Sequence, residues 1–376
     1  MYIDRVITRK ILESMIPGKV VVLLGARRVG KTVLLRHISE KINESFLMLN
    51  GEDFTTHDLL AKRSTQSYKN LLGDKRVLFI DEAQKIPEIG AKLKLMVDEI
   101  QNLKIMITGS SAFDIQGQIG EPLTGRQKVF TLYPICEKEF TSFESITERD
   151  DNLRLRLVYG NYPEVIQLSN LTVKTEYLKE IINSYLLKDI LAFENIKNSS
   201  KIINLLRLIA YQVGSEVSLN EIGKQLQISR NTVEKYLDIL SKVFILFKLT
   251  GFSRNLRKEI VKNSKWYFYD NGIRNAVVAN FNQFNVRDDC GALWENYILS
   301  ERIKFQNNNS IISNNYFWRT YDQQEIDLIE EREGSLFAYE LKWKLTRNNP
   351  PKAWINAYPK SNFKNITKQN YFEWVV

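Results

Sequence analysis

Cysteine and histidine are scarce in this sequence of 376 residues, which contains two of each. Cys136, Cys290, His37 and His57 do not stand at ligand spacing, so a disulfide scaffold and a Cys/His zinc site are excluded. Long apolar runs are also lacking, because runs such as 20–24 have the length of a strand and not of a membrane span. The first residues show no uninterrupted apolar core of a secretory signal. We therefore expect a cytoplasmic protein without a membrane partner.

Neither sign of charge dominates the chain. It carries 53 Lys and Arg against 44 Asp and Glu, a formal net charge of +9. This mild excess permits a nucleic-acid partner but does not require one. With 44% hydrophobic and 26% charged residues, the composition is that of a globular protein. The length predicts about two to four domains.

Residues 1–145 alternate short β-branched runs with segments of helical length. The predicted strands cover 19–24, 46–49, 76–80, 104–108 and 129–132. Three of them are apolar nearly throughout, which is typical of parallel strands covered on both faces. We predict an α/β fold with a doubly wound parallel sheet in this part of the chain.

The segment after the first predicted strand matches the phosphate-loop pattern G-x-x-x-x-G-K-[ST]. Its glycines let the backbone wrap a polyphosphate, and the N–H groups with the following helix form an anion cradle. Lys31 can reach the β- and γ-phosphates, and the Thr32 hydroxyl can bind Mg²⁺. ATP and Mg²⁺ are the predicted cofactors. The predicted nucleotide-binding residues are Gly25, Ala26, Arg27, Arg28, Val29, Gly30, Lys31, Thr32 and Val33.

A strand that ends in two carboxylates supplies the second half of such a site. Residues 77–80 carry Asp81 to the carboxyl edge of the sheet, where ligands bind in open α/β folds. We predict that Asp81 holds Mg²⁺ through water and that Glu82 polarises the attacking water. The presence of Glu82 favours hydrolysis over binding alone.

Further side chains are candidates for catalysis. Strand 104–108 runs into Ser110 and Ser111, and one of these hydroxyls could touch the γ-phosphate or the attacking water. A plain turn is the alternative. Arg126 stands just before strand 129–132, where an arginine commonly faces the nucleotide of a neighbouring subunit in a homo-oligomer. The alternative is an exposed, solvated side chain.

These motifs, in this order, resemble those of a prokaryotic AAA+-type P-loop ATPase family whose members carry an uncharacterised C-terminal domain. The resemblance rests on the phosphate loop, on 77–84, 108–111 and 123–126, and it continues through 159–164. It covers nearly the whole chain, and its ATPase motifs are more specific than the C-terminal ones. It implies ATP binding, hydrolysis, and a winged-helix plus nuclease-like tail, without a defined cellular role.

Residues 217–243 have the layout of a helix-turn-helix. Helices are predicted over 218–227 and 231–242, and the following run, 244–265, predicts a wing. Two interpretations stay open. The segment could bind duplex DNA, with counterion release supplying the affinity, or it could be a protein-interaction element. The basic and aromatic residues of the wing are Arg254, Arg257, Lys258, Lys262 and Lys265, with Phe252 and Trp266.

Four residues near the C-terminus resemble the motif positions of the PD-(D/E)XK nuclease superfamily. Glu340 and Lys342 are two apart on a predicted strand and therefore share one face. Asp327 lies on a neighbouring predicted strand and Glu295 on a predicted helix. The three carboxylates are predicted metal ligands beside Lys342, because Mg²⁺ requires hard oxygen ligands for phosphodiester cleavage. An active nuclease, an inactive relative kept as a binding platform, and an ordinary cross-strand pair remain open.

The sequence thus predicts four parts. These are an ATPase domain (1–145), a helical linker or lid (146–200), a winged helix-turn-helix (201–272) and a small α+β restriction-endonuclease-like domain (273–376). We expect an ATP-hydrolysing AAA+-type switch whose nucleotide state controls the C-terminal region, with DNA as a candidate partner. The alternative is a regulator that binds ATP, turns it over slowly and signals to a protein partner through an inactive nuclease-like fold.

Overall fold

A computed structural model describes residues 2–110, 122–186, 199–253, 264–344 and 349–376. The chain divides into two compact units. The first comprises residues 1–133 with 242–244, and the second comprises 134–241 and 245–376. The main stretch of the first unit ends at Tyr133, and the ATPase domain bounds of 1–145 stay a prediction. The segments predicted as linker, winged helix and C-terminal domain fall almost entirely in the second unit.

The first unit is built on a five-stranded parallel sheet. Its strands are β1 (Val20–Leu24), β2 (Phe46–Asn50), β3 (Val77–Asp81), β4 (Lys104–Gly109) and β5 (Gln127–Thr131). Their order is β2-β3-β4-β1-β5. The predicted α/β fold is confirmed, and each strand lies within two residues of its predicted bounds.

The central strands are apolar because both of their faces are covered. Every residue of β1 is buried, and β3 and β4 are buried except at one end, whereas the edge strands β2 and β5 are partly exposed. All carboxyl ends of a parallel sheet meet at one edge, so the segments after β1, β3 and β4 converge there. The helices are α1 (Thr8–Ser14), α2 (Lys31–Lys41), α3 (Phe54–Ala61), α4 (Thr65–Leu72) and α5 (Ile89–Glu99), with a 3₁₀ turn at Ala83–Lys85.

The second unit contains a seven-stranded mixed sheet. Its strands are β6 (Glu216–Val217), β7 (Leu246–Gly251), β8 (Ser264–Phe268), β9 (Asn314–Arg319), β10 (Glu325–Arg332), β11 (Ser335–Leu341) and β12 (Asn362–Ile366). Their order is β12-β11-β10-β9-β7-β8-β6. The parallel pairing of β7 with β9, at Thr250 with Tyr316 and Gly251 with Phe317, joins the two halves of the sheet. The predicted boundary at 272 therefore does not separate two sheets.

Helices flank these strands along the chain. They are α6 (Glu137–Phe140), α7 (Ile146–Tyr159), α8 (Pro163–Gln167), α9 (Leu171–Glu180) with a π-helical extension Ile181–Leu186, α10 (Ser199–Tyr211), α11 (Leu219–Leu226), α12 (Arg230–Lys242), α13 (Asn271–Val278), a 3₁₀ turn Phe284–Val286, α14 (Cys290–Asn308), α15 (Lys352–Ala357) and α16 (Phe372–Val375). The helices predicted over 218–227 and 231–242 are present as α11 and α12. Ser229 is the N-cap residue of α12, because its Oγ accepts a hydrogen bond from the Thr232 N–H at 3.1 Å.

All six tryptophans of the chain occur in the second unit. Trp294 on α14 and Trp354 on α15 are fully buried, and both contact other aromatic rings. Tryptophan fluorescence therefore reports on this unit alone.

Candidate functional site

The loop between β1 and α2 needs glycine where the backbone passes close to its neighbours. Gly25 has φ +155°, and a Cβ atom there would lie 2.2 Å from the carbonyl oxygen of Leu132. Gly30 has φ +98° and precedes the first residue of α2. The loop therefore keeps its backbone N–H groups and the helix N-terminus at the carboxyl edge of the sheet, the arrangement that binds phosphate.

Two buried basic side chains, one from the loop and one from the start of the chain, donate to backbone carbonyls of this region. Lys31 is buried, and its Nζ donates to the oxygens of Gly25 and Ala26, both at 3.0 Å. Arg5, which the sequence analysis missed, donates to Val29 O at 2.9 Å and to Tyr133 O at 2.5 Å. Arg5 thus braces the loop, and no sequence motif signals this contact because the partners are backbone atoms.

The predicted magnesium residues lie side by side. The Thr32 hydroxyl donates to Asp81 Oδ2 at 2.7 Å, and the Thr108 hydroxyl donates to Asp81 Oδ1 at 2.5 Å. A hydroxyl next to a carboxylate is a donor set that suits Mg²⁺, which takes one or two protein oxygens and completes its shell with water and phosphate. Among the described residues, no three Asp, Glu, His or Cys side chains form a group that could hold a metal by themselves. A site shared with phosphate does not need such a group.

Glu82 is held in an unusual backbone conformation directly after β3. It has φ +49° and ψ +44°, and its N–H donates to the Thr108 hydroxyl at 3.0 Å. Gly51 permits this turn, because a Cβ atom at Gly51 would lie 2.3 Å from the carbonyl oxygen of Glu82. The Glu82 Oε2 accepts from Gln84 Nε2 at 2.5 Å, and the same amide donates to Ser110 Oγ at 3.0 Å. The sequence analysis gave no role to Thr108, Gln84 or Gly51.

The remaining predicted catalytic residues are placed differently. Ser111 lies outside the described residues. Arg126 donates from Nε to Asp98 Oδ1 at 2.6 Å. The next residue, Gln127, pairs with Val20 at the amino end of β1, which is the end of the sheet opposite to the phosphate loop. Within its own chain Arg126 is therefore distant from the site, and its role towards a neighbouring subunit stays a prediction.

The four C-terminal candidates come together in the second unit. The Lys342 Nζ lies 3.1 Å from Asp327 Oδ2 and 2.9 Å from Glu340 Oε1, and the Leu341 N–H donates to Asp327 Oδ2 at 2.7 Å. Burial lowers the pKa of Lys342, but the two carboxylates raise it more, so the ammonium stays charged. Burial, and next the charge of Asp327, raise the pKa of Glu295 to about 7.

Two residues of β8 complete this cluster. Lys265 is 1% exposed, and its Nζ lies 3.8 Å from Glu295 Oε1 and in contact with Glu325. The Tyr267 hydroxyl donates to Glu295 Oε1 at 2.6 Å. The sequence assigns Lys265 to the basic residues of a wing that could meet DNA, but Lys265 cannot contact DNA in this position because every residue of β8 is buried. We call these residues the C-terminal ionic cluster: Lys265, Tyr267, Glu295, Glu325, Asp327, Glu340 and Lys342.

The two aromatic side chains assigned to the predicted wing offer no exposed surface. Phe252 and Trp266 are buried. Arg254, Arg257, Lys258 and Lys262 lie outside the described residues. Each of the three predicted metal carboxylates contacts a lysine. Lys342 lies between Asp327 and Glu340, and Lys265 lies between Glu295 and Glu325. Among the described residues these three carboxylates do not form one compact group, and a metal held by Glu295, Asp327 and Glu340 together stays a prediction.

Comparisons with known proteins agree with the loop and sheet of the first unit. Residues 17–141 match the family model described as AAA domain. The first unit is an AAA-type P-loop ATPase domain. Residues 150–284 and 290–369 match two models described as domains of unknown function, DUF8612 and DUF4143.

Relatives extend this likeness to most of the chain. An uncharacterised protein of Methanocaldococcus jannaschii is 26% identical over 359 residues, which cover 90% of this chain and 78% of that protein. An uncharacterised protein of Mycobacterium tuberculosis is 25% identical over 327 residues, 86% of this chain and 70% of that protein. A Walker-type ATPase of Pyrococcus abyssi superposes with a TM-score of 0.50 and 17% identity over 74% of this chain and 96% of that one. The last comparison shows the shared fold.

No helix in the described segments has both the length and the hydropathy that crossing a bilayer requires.

Proposed function

We propose that the chain binds ATP with Mg²⁺ at the loop 25–33 and hydrolyses it. One observation carries the proposal: a chain of hydrogen bonds runs from Thr32 through Asp81 and Thr108 to the backbone of Glu82. The phosphate loop, the carboxylate for the metal and the carboxylate for the water are thus joined at one edge of the sheet. Nucleotide ligands of open α/β folds bind at this edge.

Each residue has a role that follows from its position. Lys31 neutralises the β- and γ-phosphates, and the N–H groups that begin α2 receive phosphate oxygens. Thr32 and Asp81 would hold the magnesium, which supplies charge neutralisation on the β- and γ-phosphate oxygens. In the hydrolytic step, the water oxygen bonds to the γ-phosphorus while the bond from that phosphorus to the β–γ bridging oxygen breaks. The proton of the water passes to Glu82, and ADP leaves with the electron pair.

The decisive variant is Glu82→Gln, which keeps the shape of the side chain and removes its basicity. We expect steady-state phosphate release to fall by at least about 100-fold, with unchanged binding of a fluorescent ATP analogue. Glu99→Gln makes the same chemical change at an exposed residue at the end of α5 and should behave as wild type. Wild-type protein that binds the analogue but releases no phosphate, with or without DNA, would instead support the slow-turnover regulator.

We further propose that nucleotide state controls the second unit, whose residues 201–272 act as a winged helix and whose last hundred residues act as a nuclease-like fold. The position of the Lys265 ammonium between Glu295 and Glu325 favours the inactive form of that fold, a binding platform. A metal-dependent cleavage assay on wild type, Asp327→Ala and Lys342→Ala tests this. Cleavage by the wild type that both variants lose would establish a nuclease.

DNA is the candidate ligand of the α11–α12 pair. The exposed face of α12 carries Arg230, Asn231 and Lys235, side chains that can reach phosphates and base edges. Titration with duplex DNA at several salt concentrations should give an affinity that falls steeply with salt. No binding in the presence of ATP leaves a protein partner as the ligand of these helices.

A homo-oligomer would give Arg126 access to a neighbouring nucleotide. If Arg126 acts in this way, the specific ATPase activity should rise with protein concentration, and Arg126→Ala should lose the rise but keep ATP binding. Specific activity that is independent of concentration contradicts the role.

A further inference from the structure

Gln84 is a buried polar residue beside Glu82 in the candidate nucleotide site. It is buried, at 7% exposure, although its sequence neighbours lead into the surface segment before α5. The 3₁₀ turn Ala83–Lys85, closed by the Lys85 N–H donating to Glu82 O at 3.0 Å, folds the side chain back towards Glu82. Burial of a polar side chain requires hydrogen bonds in return.

The amide of Gln84 joins two elements of the site. A primary amide has two N–H bonds, and here the nitrogen donates to Glu82 Oε2 at 2.5 Å and to Ser110 Oγ at 3.0 Å. Ser110 is buried and directly follows the last residue of β4. The Glu82 carboxylate is thus tied to the central strand through one side chain.

A donated hydrogen bond on one carboxylate oxygen has a chemical consequence. Oε2 is engaged by Gln84, which fixes the side-chain rotamer and directs the other oxygen, Oε1, as the acceptor for a proton. The backbone of Glu82 is fixed independently by Thr108 and by the close approach of Gly51. With backbone and one oxygen both held, the remaining oxygen has little freedom, which is the condition for efficient general-base catalysis.

We propose that Gln84 is a positioning residue for ATP hydrolysis, which orients the Glu82 carboxylate and fixes it to Ser110 at the end of β4. This inference rests on the proposed function, because it assigns Gln84 a role in the reaction in which Glu82 is the base.

Two substitutions of nearly equal volume separate orientation from packing. Gln84→Met keeps the buried volume and removes both hydrogen bonds, so kcat for ATP hydrolysis should fall at least about tenfold with KM for ATP within about twofold of wild type. Gln84→Glu keeps the shape but places a second carboxylate against Glu82. The new carboxylate cannot donate to Glu82 Oε2 and repels it, so kcat should fall at least about tenfold here as well.

The controls exclude general damage to the fold. Gln66→Glu makes the same chemical change as Gln84→Glu on the exposed face of α4 and should leave both kcat and KM unchanged. Binding of a fluorescent ATP analogue should keep a stoichiometry of one per chain in every variant, which shows that the sites remain formed. Ser110→Ala removes the fixed end of the contact and should reproduce part of the Gln84→Met loss in kcat.

The outcomes distinguish this inference from the proposed function. Wild type without hydrolysis overturns the proposed function itself. Wild type that hydrolyses ATP, together with Gln84→Met or Gln84→Glu at wild-type kcat, overturns the role of Gln84 alone.

Discussion

Thr108 shows how one buried side chain can organise two functional groups. Its hydroxyl is fully buried, donates to Asp81 and accepts the N–H of Glu82. A hydroxyl has one proton and two lone pairs, so both bonds can form at once. The metal carboxylate and the base carboxylate thus share one anchor on β4.

Replacing this hydroxyl without changing the shape of the side chain tests the anchor. We expect Thr108→Val to lower kcat for ATP hydrolysis by about 10- to 100-fold, because both carboxylates lose their orientation. The variant should also lose about 1–3 kcal/mol of unfolding free energy, because the Glu82 N–H loses its acceptor. Thr108→Ser keeps the hydroxyl and should retain most activity. Wild-type turnover in Thr108→Val would show that the anchor is dispensable.

The raised pKa of Glu295 should make the stability of the second unit depend on pH. Burial and the Asp327 charge raise its folded pKa to about 7, whereas an unfolded glutamate titrates near about 4.3. Between these values the folded state holds a proton that the unfolded state has released. Protonated Glu295 therefore makes its full contribution to the free energy of unfolding below about pH 4.3, and this contribution decreases as pH rises towards 7.

Glu295→Gln should remove this slope. Its carbonyl oxygen can still accept from Tyr267, while Lys265 keeps its contact with Glu325. Relative to wild type, the variant should gain stability between pH 5 and 7 by up to about 1.4 kcal/mol per pH unit. Urea unfolding followed by tryptophan fluorescence measures this unit directly. Parallel pH curves for the two proteins would mean that Glu295 is charged throughout the range.

At the scale of elements, α14 is held to the sheet by a buried ion pair. Arg302 binds Glu330 of β10 through two hydrogen bonds, Nε to Oε1 at 2.5 Å and Nη2 to Oε2 at 2.9 Å. It also donates to the carbonyl of Trp374 in α16 at 2.5 Å. Glu330 is fully buried, so this carboxylate is shielded from water and relies on its hydrogen bonds to protein groups.

Arg302→Met should destabilise the second unit by about 3–5 kcal/mol, because it leaves a buried carboxylate with weaker partners. Arg332→Met is the matched control, since Arg332 contacts the same carboxylate at 3.3 Å from a more exposed position. Arg332→Met should lower the free energy of unfolding by less than about 1 kcal/mol. Urea midpoints from tryptophan fluorescence decide the comparison, and equal losses in both variants would contradict the assigned importance of Arg302.

The elements that the sequence predicts well are those with a local cause. The apolar runs of β1, β3 and β4 identify strands buried on both faces, and the loop from Gly25 to Thr32 has a pattern typical of a phosphate-binding turn between a strand and a helix. The parallel pairing of β7 with β9 joins residues far apart in the chain, so no local pattern reveals it. Lys265 was misplaced for the same reason: its carboxylate partners lie on other elements.

At the scale of the whole molecule, the two units carry different chemistry. The phosphate loop and Asp81 belong to the first unit, and all tryptophans belong to the second. A change of tryptophan emission on adding ATP therefore measures the response of a unit that does not contain the nucleotide loop.

If nucleotide state controls the second unit, ATP with Mg²⁺ should shift its tryptophan emission in the wild type. Lys31→Ala, which loses the cation for the β- and γ-phosphates, should bind ATP at least about tenfold more weakly and show no shift at the same concentration. If the wild type binds ATP but its tryptophan emission and the amide hydrogen exchange of the second unit do not change, nucleotide state does not control the second unit.

The mixed sheet of the second unit also restricts how such a chain can evolve. Strands from 216–268 and from 314–366 lie in one sheet, joined where β7 meets β9. Recombination that exchanged only one of these stretches with a distant homologue would leave a mismatched seam along the middle of the sheet and exposed backbone groups beside it. Viable chimaeras should therefore inherit both stretches from the same parent.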